Sequence, residues 1–110
     1  MTVTQTSAPR PSTSLLTDMY ELTMLQGALR SGTAGRRSVF ELFGRRLPAS
    51  RRYGVVAGTG RLLDAVEAFT FTDEQIDFLH RTRVVDDTTL DYLRGYRFSG
   101  TIRGYAEGEC

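Results

Sequence analysis

The strongest hydrophobic pattern in the chain lies between Met19 and Leu29. At about 100° per residue, Met19, Leu22, Leu25 and Leu29 fall on one helical stripe. Asp18 precedes it as a candidate N-cap, and Glu21 stands at the third helical position, where the two can form a capping box. A second stripe, Tyr20, Thr23, Met24 and Gly27, lies off the first and puts an aromatic ring in the opening turn. Gly27 costs about 1 kcal/mol against Ala in a helix interior, and close approach of another backbone would explain it. Two usable faces on one short helix predict burial between two partners.

Further on, Ser31 to Gly35 reads as a turn, and Ser38 to Arg46 alternates as a strand, with Val39, Glu41 and Phe43 opposite Phe40 and Leu42. After a loop around Pro48, Tyr53 to Val56 reads as a short strand. It leads into a helix at about Gly58 to Phe69 with Leu62, Leu63, Val66 and Phe69 inward. A third helix starts at Thr72. Thr72 and Gln75 make a capping box, Phe71 and Ile76 occupy the staple positions, and the helix ends near Arg83. A fourth runs from about Thr88 to Arg94, with Leu90 and Leu93 inward and Gly95 as its stop. Phe98 to Glu107 alternates as a final strand. These elements predict an α/β fold with few strands. A strand so near the last residue needs a partner for its ladder, so the expected object is an incomplete α/β domain.

Composition narrows the class. The chain has 110 residues, 40% of them hydrophobic, and a net charge of +1, which supplies no global field for nucleic acid or membrane. All 14 basic residues are Arg. Cys110 is the single cysteine, so neither an intrachain disulfide nor a thiolate metal cluster is expected. No apolar run approaches the roughly 20 residues of a membrane span. Residues 1–14, rich in Thr, Ser and Pro, read as a flexible tail rather than a signal peptide, and the expected location is the cytoplasm.

Candidate chemistry is sparse. Arg36, Arg37, Arg45, Arg46, Arg51 and Arg52 bracket the first strand, where guanidinium groups can converge on a phosphate; a solvated basic rim is the plainer reading. GVVAGTGRLLDAV resembles a dinucleotide turn, but Leu63 stands where the third glycine belongs, which favours an ordinary strand-to-helix turn. His80 has no Cys or Ser partner and reads as a helix-surface residue. Asp86 and Asp87 precede a helix, where they complement its N-terminal charge. No nucleophile–base arrangement can be assembled, no residue is expected to be catalytic and none to bind metal.

The stretch LLTDMYELTMLQGAL closely resembles the N-terminus of nicotinate phosphoribosyltransferases, whose signature there is TDxYxxTM. VFELFGRRLP resembles the family's FELF strand and loop. VVAGTGRLLDAVEAF and FTDEQIDFL resemble its next two helices, and FSGTIRGYAEGE the strand that begins its EGE motif. The resemblance runs over residues 15 to 109 in the family's order. It implies the N-terminal α/β domain of a type II phosphoribosyltransferase, incomplete at its C-terminal end, with the barrel domain absent from this chain.

The implied activity is that of an ATP-coupled ligase, also a glycosyltransferase. Nicotinate and 5-phosphoribosyl 1-pyrophosphate give nicotinate mononucleotide and pyrophosphate with ATP hydrolysis and Mg²⁺, in NAD salvage. The implied state is a homodimer. The family's tyrosine stacks on the pyridine ring in the neighbouring subunit's site and maps to Tyr20, and its aspartate maps to Asp18. Arg45 and Arg46 stand in the FELF motif and are the implied phosphate-binding arginines. The family's catalytic histidine belongs to the barrel and does not match His80, so the fragment alone is expected to be inactive. The alternatives are a nicotinamide phosphoribosyltransferase-like enzyme and a non-enzymatic α/β dimerisation module.

Overall fold

A computed structural model describes residues 12–110. Four helices form: α1 (Met19–Arg30), α2 (Thr59–Glu67), α3 (Asp73–Arg81) and α4 (Asp87–Arg94). Their order and approximate limits follow the periodicity. The core is built from α1, α3 and α4, which contribute Leu22, Ile76, Leu79, Leu90 and Leu93, joined by Phe71 and Val85 from the connections. Phe69 meets Phe71 edge-on, with centroids 5.6 Å apart, and Tyr96 at 6.1 Å, geometries that the ring quadrupoles favour.

The start of α3 shows why this part folds as it does. The Thr72 hydroxyl accepts from the Gln75 amide at 3.2 Å, and Gln75 Oε1 accepts from the Thr72 amide at 2.9 Å. The capping box is complete, and the staple residues Phe71 and Ile76 are both buried. Gln75 has a second task. It accepts from the hydroxyl of buried Ser14 at 2.7 Å and donates to the Ser12 carbonyl at 3.2 Å. Ser12 and Ser14 thus belong to the packed body, although the tail expectation extended to residue 14. The rest of that expectation falls on residues 1–11, outside the described residues.

Helix ends obey the same local rules. In α1, the amides of Gly32 and Thr33 donate to Leu29 and Ala28 carbonyls, a Schellman ending with left-handed Gly32 at φ 73°. In α3 the amides of Arg83 and Val84 donate to His80 and Leu79 in the same pattern, but the left-handed residue is Arg83, at φ 54°. The α3 helix therefore stops at Arg81, two residues before the expected end. The α4 helix starts at Asp87, one residue earlier than expected, because Asp86 is its N-cap and accepts from the Thr89 amide at 2.9 Å.

Three expectations are corrected. The expected strands at 38–46, 53–56 and 98–107 are irregular chain, and no strand is assigned among the described residues. The α/β class is therefore not realised within them, and the domain is a four-helix body with irregular segments. The cause is the missing ladder: Val39, Phe40, Leu42 and Phe43 are all exposed, Leu42 at 98%, and alternation makes a strand only where another backbone completes it. Secondly, α2 buries none of its residues, and Leu62 and Leu63 are both about half exposed, 48% and 46%. Thirdly, Asp18 is the α1 N-cap by backbone conformation (φ −78°, ψ 146°) but makes no side-chain cap bond, so the box with Glu21 does not form. That first turn is exposed, where water can serve its amides.

Candidate functional site

The α1 helix presents Tyr20 because its other face is fixed. Leu22 is buried and Leu25 packs against the core. Gln26 Oε1 accepts from the Asp86 amide at 2.6 Å, and Arg30 reaches Asp86 Oδ2 at 3.0 Å. Tyr20, two residues from Leu22 and so about 200° around the helix, is 58% exposed, and Met24 on the same stripe 66%. Nothing lies within 4 Å of where a Cβ on Gly27 would sit. Among the described residues no backbone makes the close approach that Gly27 suggested, so within them the Tyr20–Met24–Gly27 stripe is an open face.

Asp18 is exposed beside this face. Arg45 and Arg46 lie on the irregular segment after Phe43, exposed, as are Arg36, Arg37, Arg51 and Arg52. Among the described residues, none of these six arginines forms an ion pair with a carboxylate. Arg51 and Arg52 share a hollow with Tyr53.

An apolar groove of about 590 Å³ lies between α1, α2 and α4, lined by Leu22, Leu25, Leu62, Val66, Phe69 and Tyr96 among others. Tyr20 is not among its lining residues. His80 sits on the surface of α3 with Nδ1 3.4 Å from Asp87 Oδ1. Asp86 is the hub of the α1–α4 contact: its Oδ1 also accepts from the hydroxyl of fully buried Thr89 at 2.7 Å. That bond, with the Thr89 amide and the Arg30 guanidinium, holds the Asp86 carboxyl below its usual value of 3.8. Among the described residues no group of three His, Cys, Asp or Glu side chains could hold a metal ion, and no helix is long and apolar enough to cross a membrane.

One contact escaped the sequence reading. The glycine-containing turn before α2 is a helix N-terminus of the kind that binds anions, and its occupant is Glu107. Oε1 accepts from the Gly58 amide at 2.9 Å and Oε2 from the Thr59 amide at 2.8 Å. These bonds lower the Glu107 pKa from its usual 4.5, the Gly58 amide first and the Thr59 amide next. Left-handed Gly58, at φ 91°, turns both amides to one carboxylate. The partners lie 49 and 48 residues apart, and no local pattern connects them.

Comparison with known proteins fixes the lineage of this arrangement. Residues 15–110 match the nicotinate phosphoribosyltransferase (NAPRTase) N-terminal domain. The chain is 58% identical over 95 residues to nicotinate phosphoribosyltransferase pncB1 of Mycobacterium tuberculosis, covering 86% of this chain and 21% of that protein. It is 36% identical over 95 residues to pncB2 of the same organism, covering 86% and 20%. It is 34% identical over 105 residues to the nicotinate phosphoribosyltransferase of Bos taurus, covering 93% and 19%. The chain thus spans about a fifth of the length of these relatives. No solved structure matches. A match that starts just ahead of α1 and takes in the Tyr20 face, every helix and the Glu107 turn places the chain in the nicotinate phosphoribosyltransferase family, in its N-terminal domain.

Proposed function

We propose that this chain is the N-terminal part of an enzyme that joins nicotinate to 5-phosphoribosyl 1-pyrophosphate. The products are nicotinate mononucleotide and pyrophosphate, ATP is hydrolysed, and the step serves NAD salvage. The observation that carries the reading is the Tyr20 ring, exposed on a helix whose opposite face is locked by Leu22 and the Asp86 hub. A flat ring held on a fixed helix suits stacking on a flat heteroaromatic acid, at low cost in lost side-chain freedom. The open stripe with Met24 and Gly27 suits a second subunit, so Tyr20 serves the partner's site in a cytoplasmic homodimer. Asp18 borders that site. Arg45 and Arg46, which pair with no carboxylate among the described residues, suit phosphate oxygens by their guanidinium chemistry.

The segments 38–46 and 98–107 complete an α/β domain in this reading, with backbone from beyond residue 110 supplying the ladder. Mg²⁺ and ATP belong to that further part, which also holds the catalytic groups. The described carboxylates do not group into a metal site, and the α2 N-terminus is taken by Glu107.

The test is turnover by the full-length protein with each pyridine in turn. Nicotinate is expected to be consumed with 5-phosphoribosyl 1-pyrophosphate, and nicotinamide to be a poor substrate. Preference for nicotinamide, or no pyridine turnover at all, would overturn the reading.

A further inference from the structure

The contacts of residues 98–110 are concentrated at one place. Every side chain in this segment is exposed among the described residues, so within them burial does little to fix its course. Among the described residues, its hydrogen bonds to the rest of the chain all meet around the start of α2. The Val56 amide donates to the Glu109 carbonyl, and the Gly108 amide to the Val56 carbonyl, each at 2.8 Å. Two residues on, both oxygens of Glu107 take the Gly58 and Thr59 amides. Within the turn itself the Glu109 side chain accepts from the Ala106 amide at 2.6 Å, a bond that ties the turn together without reaching α2.

We infer that Glu107 is a latch, a positioning residue whose carboxylate, seated on the Gly58 and Thr59 amides, fastens segment 98–110 to α2 and sets where both run. Three physical facts favour a carboxylate in this place. Bonds from amides to an ionised group are stronger than neutral ones, two are made at once, and the helix N-terminus attracts negative charge. The strap also fixes the chain before α2, because Val56, Gly58 and Thr59 are gripped by one short turn. The glycine-containing turn thus serves an internal anion, Glu107.

Hydrogen exchange on the full-length protein tests the latch, with Glu107→Gln beside Glu109→Gln. Glu107→Gln keeps size and removes charge. It is expected to speed exchange about tenfold in peptides spanning both 55–62 and 98–110, while peptides spanning α3 and α4 keep their protection. Glu109→Gln, which touches only the turn's internal bond, is expected to loosen 98–110 alone. Unchanged exchange at 55–62 in Glu107→Gln would overturn the latch. So would equal loosening there in Glu109→Gln, or a Glu107→Gln protein that loosens throughout or does not fold.

Discussion

At the scale of single residues, the sharpest contrast is between Gly32 and Arg83. Both close a helix in the left-handed conformation by the same pair of backbone bonds. Glycine does so without steric cost; an L-residue there costs about 1–2 kcal/mol, of which glycine's greater freedom in the unfolded chain returns about 0.5–1. Arg83→Gly is therefore expected to stabilise the protein by about 0.5–1 kcal/mol, read as a rise in melting temperature. A fall would mean that the Arg83 side chain makes a stabilising contact. Packing supplies a second contrast. Leu90 is 1% exposed, and Leu90→Ala should cost about 2–5 kcal/mol through lost transfer energy and a residual cavity. Leu63, about half exposed on α2, should tolerate the same change with a cost below about 1 kcal/mol.

At the scale of elements, legibility tracked the distance between interacting residues. The start of α3 could be read in full because Phe71, Thr72, Gln75 and Ile76 act on one another within one turn and a half. Asp86 was legible only in part. Its position ahead of α4 suggested a charge complement, but its bonds to Arg30 and Gln26 span 56 and 60 residues and came only with the fold. Glu107 stood in the EGE motif but gave no local sign of its partners, Gly58 and Thr59. The strands failed for a related reason, since alternation in 38–46 states which sides differ and not which backbone will pair.

The Asp86 hub also carries a pH dependence. Its pKa is lowered in the fold by Thr89 and Arg30, so its stabilising contribution is present above the unfolded carboxylate pKa and disappears as pH falls through the lower folded value. Asp86→Asn keeps an oxygen for the cap but loses the charge that faces Arg30. The variant should be less stable than the parent at pH 7, and the gap should close as pH falls below 3.8. A gap that is constant with pH would show that the charge contributes nothing.

At the scale of the molecule, the described chain is a small helical core with apolar chain extending from it. Its radius of gyration is 17.8 Å, against about 13 Å for a compact domain of similar length. Val39, Phe40, Leu42 and Phe43 are exposed together, a clustering that ordinarily marks a surface meant to be covered. This fits an N-terminal domain whose relatives are about five times longer. The site has the same character. In the proposed function Tyr20 is one wall, and the sequence motifs that named it, Arg45 and Arg46 pointed to a site completed by other chain.

The claim that matters most is that Tyr20 stacks on nicotinate, and steady-state kinetics of Tyr20→Ala in the full-length protein tests it directly. Loss of one aromatic stacking contact is worth about 0.5–1.5 kcal/mol beyond area burial, so KM for nicotinate should rise by about tenfold or somewhat less, while the melting temperature changes little, since the ring is exposed. An unchanged KM with a clearly lowered melting temperature would make Tyr20 a packing residue and contradict the account.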